Sequence, residues 1–165
     1  MKALLATAAA IAAFTVATPA QAQAASSSDI AYAKAIVQKL VKVGVTIATP
    51  SICPDGLVGR YDYSTATLTM CPVAFRDDAL AVETISHEAI HAAQHCVGGP
   101  LAKTVNNSNM NTYAKGLIAG IGHKSTHVIG VTEGLSTEAR IQEYEAYAFE
   151  GSPQIVLSIL NKVCR

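Results

Sequence analysis

The sequence predicts a small α+β domain, mostly helical, in which a short β-hairpin packs on a histidine-bearing helix and on a second, acidic helix. Three observations predict it. Residues 77–97 form a long helix-compatible stretch between Asp77-Asp78 and the stop signal Gly98-Gly99-Pro100, with His87 and His91 on one side. Residues 59–63 and 67–70 are short β-rich runs separated by Ser64-Thr65-Ala66. Residues 137–149 form a further helix bearing Glu138, Glu143 and Glu145.

The start of the 165-residue chain reads as an address rather than as structure. Lys2 gives a minimal positive start, residues 3–17 are apolar, and Ala20-Gln21-Ala22 is a small-x-small cleavage site. The apolar run is too short and too Ala-rich for a membrane span. Residues 1–22 are therefore expected to be a signal peptide cut after Ala22, and residues 23–165 a single secreted or periplasmic domain. Removing Lys2 leaves 11 basic residues against 12 acidic ones, a net charge near −1. That balance, with no basic stripe and no interleaved aromatics, argues against nucleic acid as a partner. No second apolar segment of spanning length follows, so no membrane contact is expected after cleavage.

Four cysteines, Cys53, Cys71, Cys96 and Cys164, form no C-x-x-C pair. An even count in an exported chain suggests two disulfides. Cys53–Cys71 would brace the hairpin, and Cys96–Cys164 would tie the histidine helix to the C-terminal helix. These are the favoured pairs of the three arrangements that four cysteines allow.

The elements follow in chain order. Ser28 can cap a helix running to about Val43, with Ile30, Ala33, Val37, Leu40 and Val41 on one side and Gly44 at its end. Residues 45–48 are a short β-rich run, and residues 50–56 are turn-like. The hairpin strands come next, and Pro72 ends the second. Residues 103–110 are polar and Asn-rich, with Asn106-Asn107-Ser108 matching a glycosylation acceptor. Residues 113–119 have helical character that Gly116, Gly120 and Gly122 should break. Ser136 or Thr137 caps the acidic helix, which should end at Gly151. Pro153 starts a final helix to about Val163, with an Ile155, Ile159, Val163 stripe facing the core.

The chemistry concentrates in residues 83–96. His87-Glu88-Ala89-Ile90-His91 is an H-E-x-x-H motif. At about 100° per residue His91 falls some 40° from His87, so both imidazoles reach one tetrahedral ion. Glu88, about 100° round, can serve as general base toward a metal-activated water. Ala92, Ile85, Cys96, Ala89 and Val82 lie on the opposite side and form a small apolar packing face.

Catalytic zinc takes three protein ligands plus water. His95 is one further turn along the same helix. With a rise of about 12 Å from His87 it is a poor third ligand for one ion and fits better beside the site or facing solvent. The alternative is a glutamate from the acidic helix. Glu143 ranks first, because small Ala139 and Ala146 flank it by one turn on each side, and Glu145 and Glu138 follow. A solvated acidic face, with Glu150 included, is the plainer reading of that helix. His123 and His127, four apart among glycines, are either ordinary loop histidines or donors to a transition-state oxyanion. Tyr113, Tyr144 and Tyr147 are weaker oxyanion candidates and could equally be core or surface aromatics.

These motifs support a resemblance. The hairpin, Cys71-Pro72 and Ser86-His87-Glu88-Ala89-Ile90-His91-Ala92 resemble the compact gluzincin metallopeptidases, among them those that process a mitochondrial ATP-synthase subunit. The E-x-E-A-x-x-F run from Glu143 to Phe149 is similar to the ligand helix of ImmA/IrrE-like peptidases. The match covers roughly residues 57–98 and 136–150. It implies a zincin-like domain with Zn2+ held by His87, His91 and Glu143, and Glu88 as the catalytic base.

The function expected is hydrolysis of peptide bonds in a peptide or protein substrate, with residues 67–70 as an edge strand that pairs with it or as plain hairpin structure. The rivals are a disulfide-braced binding module whose zinc is closed by a fourth ligand, and a zinc amidase acting on cell-wall peptides.

Overall fold

The computed structural model describes residues 24–105 and 110–165. The expected signal peptide and the Asn106-Asn107-Ser108 acceptor lie outside the described residues. The fold is α+β and mostly helical, as expected, with one three-stranded sheet. No helix among the described residues is long and apolar enough to cross a membrane.

Helix α1 spans Ser27–Lys42. Its cap is Ser26, not Ser28: the Ser26 hydroxyl accepts from the Asp29 amide, and the Asp29 carboxylate accepts from the Ser26 amide. That reciprocal pair satisfies two donors that a cap at Ser28 would leave open. Ile36 and Leu40 are fully buried on its inner face, where α1 packs on the two helices joined by Cys96–Cys164.

Strands β1 (Thr46–Ala48), β2 (Gly59–Asp62) and β3 (Thr67–Met70) form a sheet in the order β1-β3-β2. The β2–β3 hairpin is antiparallel, with Tyr61 opposite Leu68. Its turn is held by the Asp62 carboxylate, which accepts from the Ser64 amide at 2.8 Å, and by Ala66 at φ 47°. β1 runs parallel to β3, with Ile47 opposite Leu68. The expectation of β3 as an edge strand is therefore corrected: it is paired on both sides, and among the described residues the edges without a further strand are those of β1 and β2.

Helix α2, Asp78–Val97, is capped by Asp77, whose carboxylate accepts from the Leu80 amide at 2.7 Å. It ends at Gly98, in the left-handed conformation at φ 69°. Ala89, Ala92 and Ala93 let it approach its neighbours closely, and Ile90 is fully buried among them. Burying a side chain of that size contributes about 1.5–3 kcal/mol.

After a 3₁₀ turn at Leu101–Val105 the chain is more helical than its glycines suggest. Helix α3 covers Met110–Ile121, a 3₁₀ turn covers Gly122–Lys124, and α4 covers Ser125–Val131. Gly116 and Gly120 sit inside α3, and Gly122 alone of the three takes a positive φ, 64°. Helix α5, Thr137–Phe149, is capped by Ser136, and α6, Pro153–Val163, closes the fold. Val156 and Leu160 of α6 are fully buried against α1 and α2.

Both favoured disulfides are formed. Cys53–Cys71 ties the loop before β2 to the end of β3, and Cys96–Cys164 ties the last turn of α2 to the end of α6.

Candidate metal centre

Helices α2 and α5 pack side by side and bring His87, His91 and Glu143 together. One ligand atom from each lies within 4.8 Å of the other two. His87 Nε2 is 3.7 Å from Glu143 Oε2, and His91 Nε2 is 3.6 Å from Glu143 Oε1. Tetrahedral zinc with bonds near 2.0–2.1 Å separates its ligand atoms by about 3.4 Å. Both imidazole–carboxylate spacings lie close to that separation.

The far side of each imidazole is held. His87 Nδ1 donates to Glu150 Oε2 at 2.8 Å, and Glu150, at the C-terminal end of α5, is 5% exposed. The other Glu150 oxygen accepts from Lys124 Nζ at 2.6 Å. His91 Nδ1 donates to Gln94 Oε1 at 2.9 Å, an oxygen that also accepts from the Tyr63 hydroxyl. Gln94 is itself fixed, because its amide nitrogen donates to the Gln142 carbonyl and to Glu145 Oε2. With both Nδ1 atoms so engaged, each neutral ring keeps its lone pair on Nε2, the atom that faces Glu143 and would ligate a metal.

The other proposed ligands are elsewhere. Glu145 is fully buried and turned away, accepting from the Leu101 and Ala102 amides, from Gln94 and from the Tyr113 hydroxyl. It sits two residues from Glu143, about 200° round the helix, and so anchors the segment after α2. Glu138 is exposed and pairs with Lys103. His95 Nδ1 lies 2.8 Å from the Tyr61 hydroxyl, outside the group. None of these three joins the group, His95 as expected, and the Tyr113 hydroxyl is engaged by Glu145 away from it.

Glu88 is 7% exposed, and burial pushes its carboxyl up to about 7 against the pull of His87 and of the Tyr61 amide. His87 is raised as well. Burial would lower it, but Glu143 and Glu150 outweigh that and raise it to about 9. Burial and the neighbouring His87 lower His91. Burial disfavours the Glu143 charge, yet His87 and His91 hold its carboxyl below the usual range. The site is thus a compact set of opposed charges.

Gly59 explains how β2 reaches this helix. A Cβ there would stand 2.4 Å from Thr84 Cγ2 and 3.3 Å from Glu88 Cγ. Only a residue without a side chain allows the strand so close.

A cavity of about 260 Å³ is shared by His87, Glu88, His91, Glu143 and the start of β2. A larger one, about 630 Å³, adjoins it beyond His87 and Glu88. His123, His127 and Tyr147 line the larger cavity, and the Tyr147 ring meets His87 edge-on at 4.7 Å between centroids. Tyr144 lines neither. Sequence reasoning missed Glu150, Gln94 and Tyr63 as supports of the imidazoles. The signals available were their helical spacing: Gln94 is three residues from His91, and Glu150 is seven, two turns, from Glu143.

No curated protein and no solved structure matches this sequence. A family model described as a Domain of unknown function (DUF8637) matches residues 43–165, the span that holds all three strands, both disulfides and the whole metal group, and the chain belongs to that family.

Proposed function

We propose that this protein is a secreted zinc-dependent metallopeptidase. One observation carries the reading: the triangle of His87, His91 and Glu143 opens on a cavity that Glu88 also lines. Zinc held by these three donors supplies Lewis acidity toward a scissile carbonyl and acidifies a water. Glu88 takes the proton of the attacking water and delivers it to the leaving amine, so that water adds across the C–N bond as acid and amine separate. Tyr147 and His127, on the wall of the adjoining cavity, are the candidates to donate to the carbonyl oxygen as it gains charge. Extended substrate lies along the outer edge of β2, which has no strand partner among the described residues and borders the smaller cavity.

The rival reading, structural zinc in a binding module, calls for a fourth protein ligand. All four cysteines are in disulfides and His95 is engaged by Tyr61, which favours a position left for water. The disulfides also suit an exported protein. The test is Glu88→Gln assayed on a fluorogenic peptide library. Turnover should fall by about 10²–10⁴-fold with zinc retained. Full turnover in that variant would remove Glu88 as base.

A further inference from the structure

We infer that Lys124 and Tyr113 are positioning residues of the metal centre: they tie the seating of residues 110–131 to the order of both imidazoles, so that a bound metal and this segment hold each other in place. The inference rests on the metal-binding half of the metallopeptidase reading and not on hydrolysis.

The segment is held differently from the rest of the fold. It lies outside the stretches that carry the metallopeptidase resemblance. Gly116 and Gly120 weaken α3 as an isolated helix, so its helicity depends on docking. α3 and α4 dock on α5. Leu117, Ile121 and Val128 bury apolar side chains, and none of the three belongs to the main core of α1, the sheet, α2 and α6. Neither disulfide has a cysteine in the segment. A unit packed outside the main core opens at lower cost than the core itself.

Two polar paths connect the segment to the metal group, one behind each imidazole. Lys124 Nζ donates to Glu150 Oε1 at 2.6 Å, and Glu150 Oε2 accepts from His87 Nδ1 at 2.8 Å. The Tyr113 hydroxyl donates to Glu145 Oε1 at 3.0 Å, and Glu145 Oε2 accepts from Gln94 Nε2 at 2.9 Å. Gln94 Oε1 in turn accepts from His91 Nδ1 at 2.9 Å. Glu145 and Glu150 are both buried, and each turns one oxygen toward the imidazoles and the other toward the segment. Lys124 also pairs with Glu83 of α2. Gly122, at φ 64°, makes the turn that precedes Lys124.

The coupling follows from what a metal does to the rings. A neutral His91 has two choices at Nδ1: to donate to Gln94, or to accept from the Tyr63 hydroxyl 3.2 Å away. A metal on Nε2 removes the second choice, because Nδ1 then carries the proton. Gln94 must accept it, and its amide nitrogen is thereby aimed at Glu145. His87 is pinned toward Glu150 in the same way. Tyr113 and Lys124 then close on carboxylates already in place, which lowers the ordering cost of docking. The effect is reciprocal: what the metal adds to the seating of the segment, seating adds to metal binding. The seated segment supplies His123, Lys124 and His127 to the wall of the larger cavity, so metal loading completes that wall.

The test is hydrogen–deuterium exchange, read in peptides from residues 110–131, without metal and at saturating zinc. Zinc should slow exchange there at least ~5-fold in the wild type and leave His91→Ala unchanged. Lys124→Met combined with Tyr113→Phe should shrink the slowing below ~2-fold, and Lys124→Arg should keep it. If the double variant does not fold, either single substitution should lose part of the slowing. Unchanged exchange in a zinc-loaded wild type, full slowing in the double variant, or equal slowing in His91→Ala would overturn the coupling and leave the metallopeptidase reading in place. Failure of the wild type to take up zinc would overturn both.

Discussion

Glu150 Oε2 accepts the Nδ1 proton of His87 at 2.8 Å, while its other oxygen holds Lys124. A carboxylate in that position fixes the tautomer and the ring plane of a metal-binding imidazole. Glu150→Ala should weaken zinc binding by about 10–100-fold, read by competition with a chelating dye. An unchanged affinity in a folded Glu150→Ala protein would show that His87 is oriented by other means.

Gly59 lets β2 lie against α2 at Thr84 and Glu88. Gly59→Ala places a methyl 2.4 Å from Thr84 Cγ2, so strand or helix must shift, at about 1–3 kcal/mol of stability. The same shift moves Glu88 and should lower peptidase turnover. Thr84→Ser removes the offending methyl and keeps the hydroxyl that donates to the Leu80 carbonyl. The double variant should recover most of the loss in a thermal melt. No recovery would place the strain elsewhere.

The metal-free protein should lose stability between about pH 6.5 and pH 9. Below that range the lowered His91, whose contribution grows as pH rises to 6.5, opposes the loss from Glu88. Glu88 is raised from 4.5 to about 7 and His87 from 6.5 to about 9. A raised pKa contributes stability that is complete below the unfolded value and lost as pH climbs through the folded one. Glu88 therefore acts between about 4.5 and 7, and His87 between about 6.5 and 9. Glu143 and Glu150 are lowered, so their contribution is lost only as pH falls below the ordinary carboxylate range. The loss to pH 9 is on the order of a few kcal/mol. Zinc competes with the His87 proton, so the rise in melting temperature on adding zinc should grow from pH 5 to pH 9. A flat or rising metal-free profile from pH 6.5 to pH 9 would contradict the carboxylate pairing of His87.

What the sequence made legible is what short-range rules govern. Asp77 and Gly98 punctuate α2 locally, and the i, i+4 spacing of His87 and His91 is a property of any helix. Glu143 could be chosen over Glu145 because small Ala139 and Ala146 mark the face that approaches α2, and two residues of helix turn Glu145 to the opposite task. What stayed hidden depends on distant partners. Glu150 reads as part of a solvated acidic face until Lys124, 26 residues away, covers it. β3 is central because β1 pairs in parallel across an intervening loop and strand, a pairing no local pattern announces. Gly116 and Gly120 each cost a helix about 1 kcal/mol, and packing of α3 against α5 overrides that.

The most direct measurement is the metal content of protein purified without chelator, wild type beside His87→Ala, His91→Ala, Glu143→Ala and the controls Glu138→Ala and His95→Ala. The wild type and both controls should hold one zinc per chain, and each of the other three should lose it. A wild type without stoichiometric zinc, or a Glu143→Ala protein that binds it as tightly as the wild type, would contradict a centre built from two imidazoles of α2 and one carboxylate of α5.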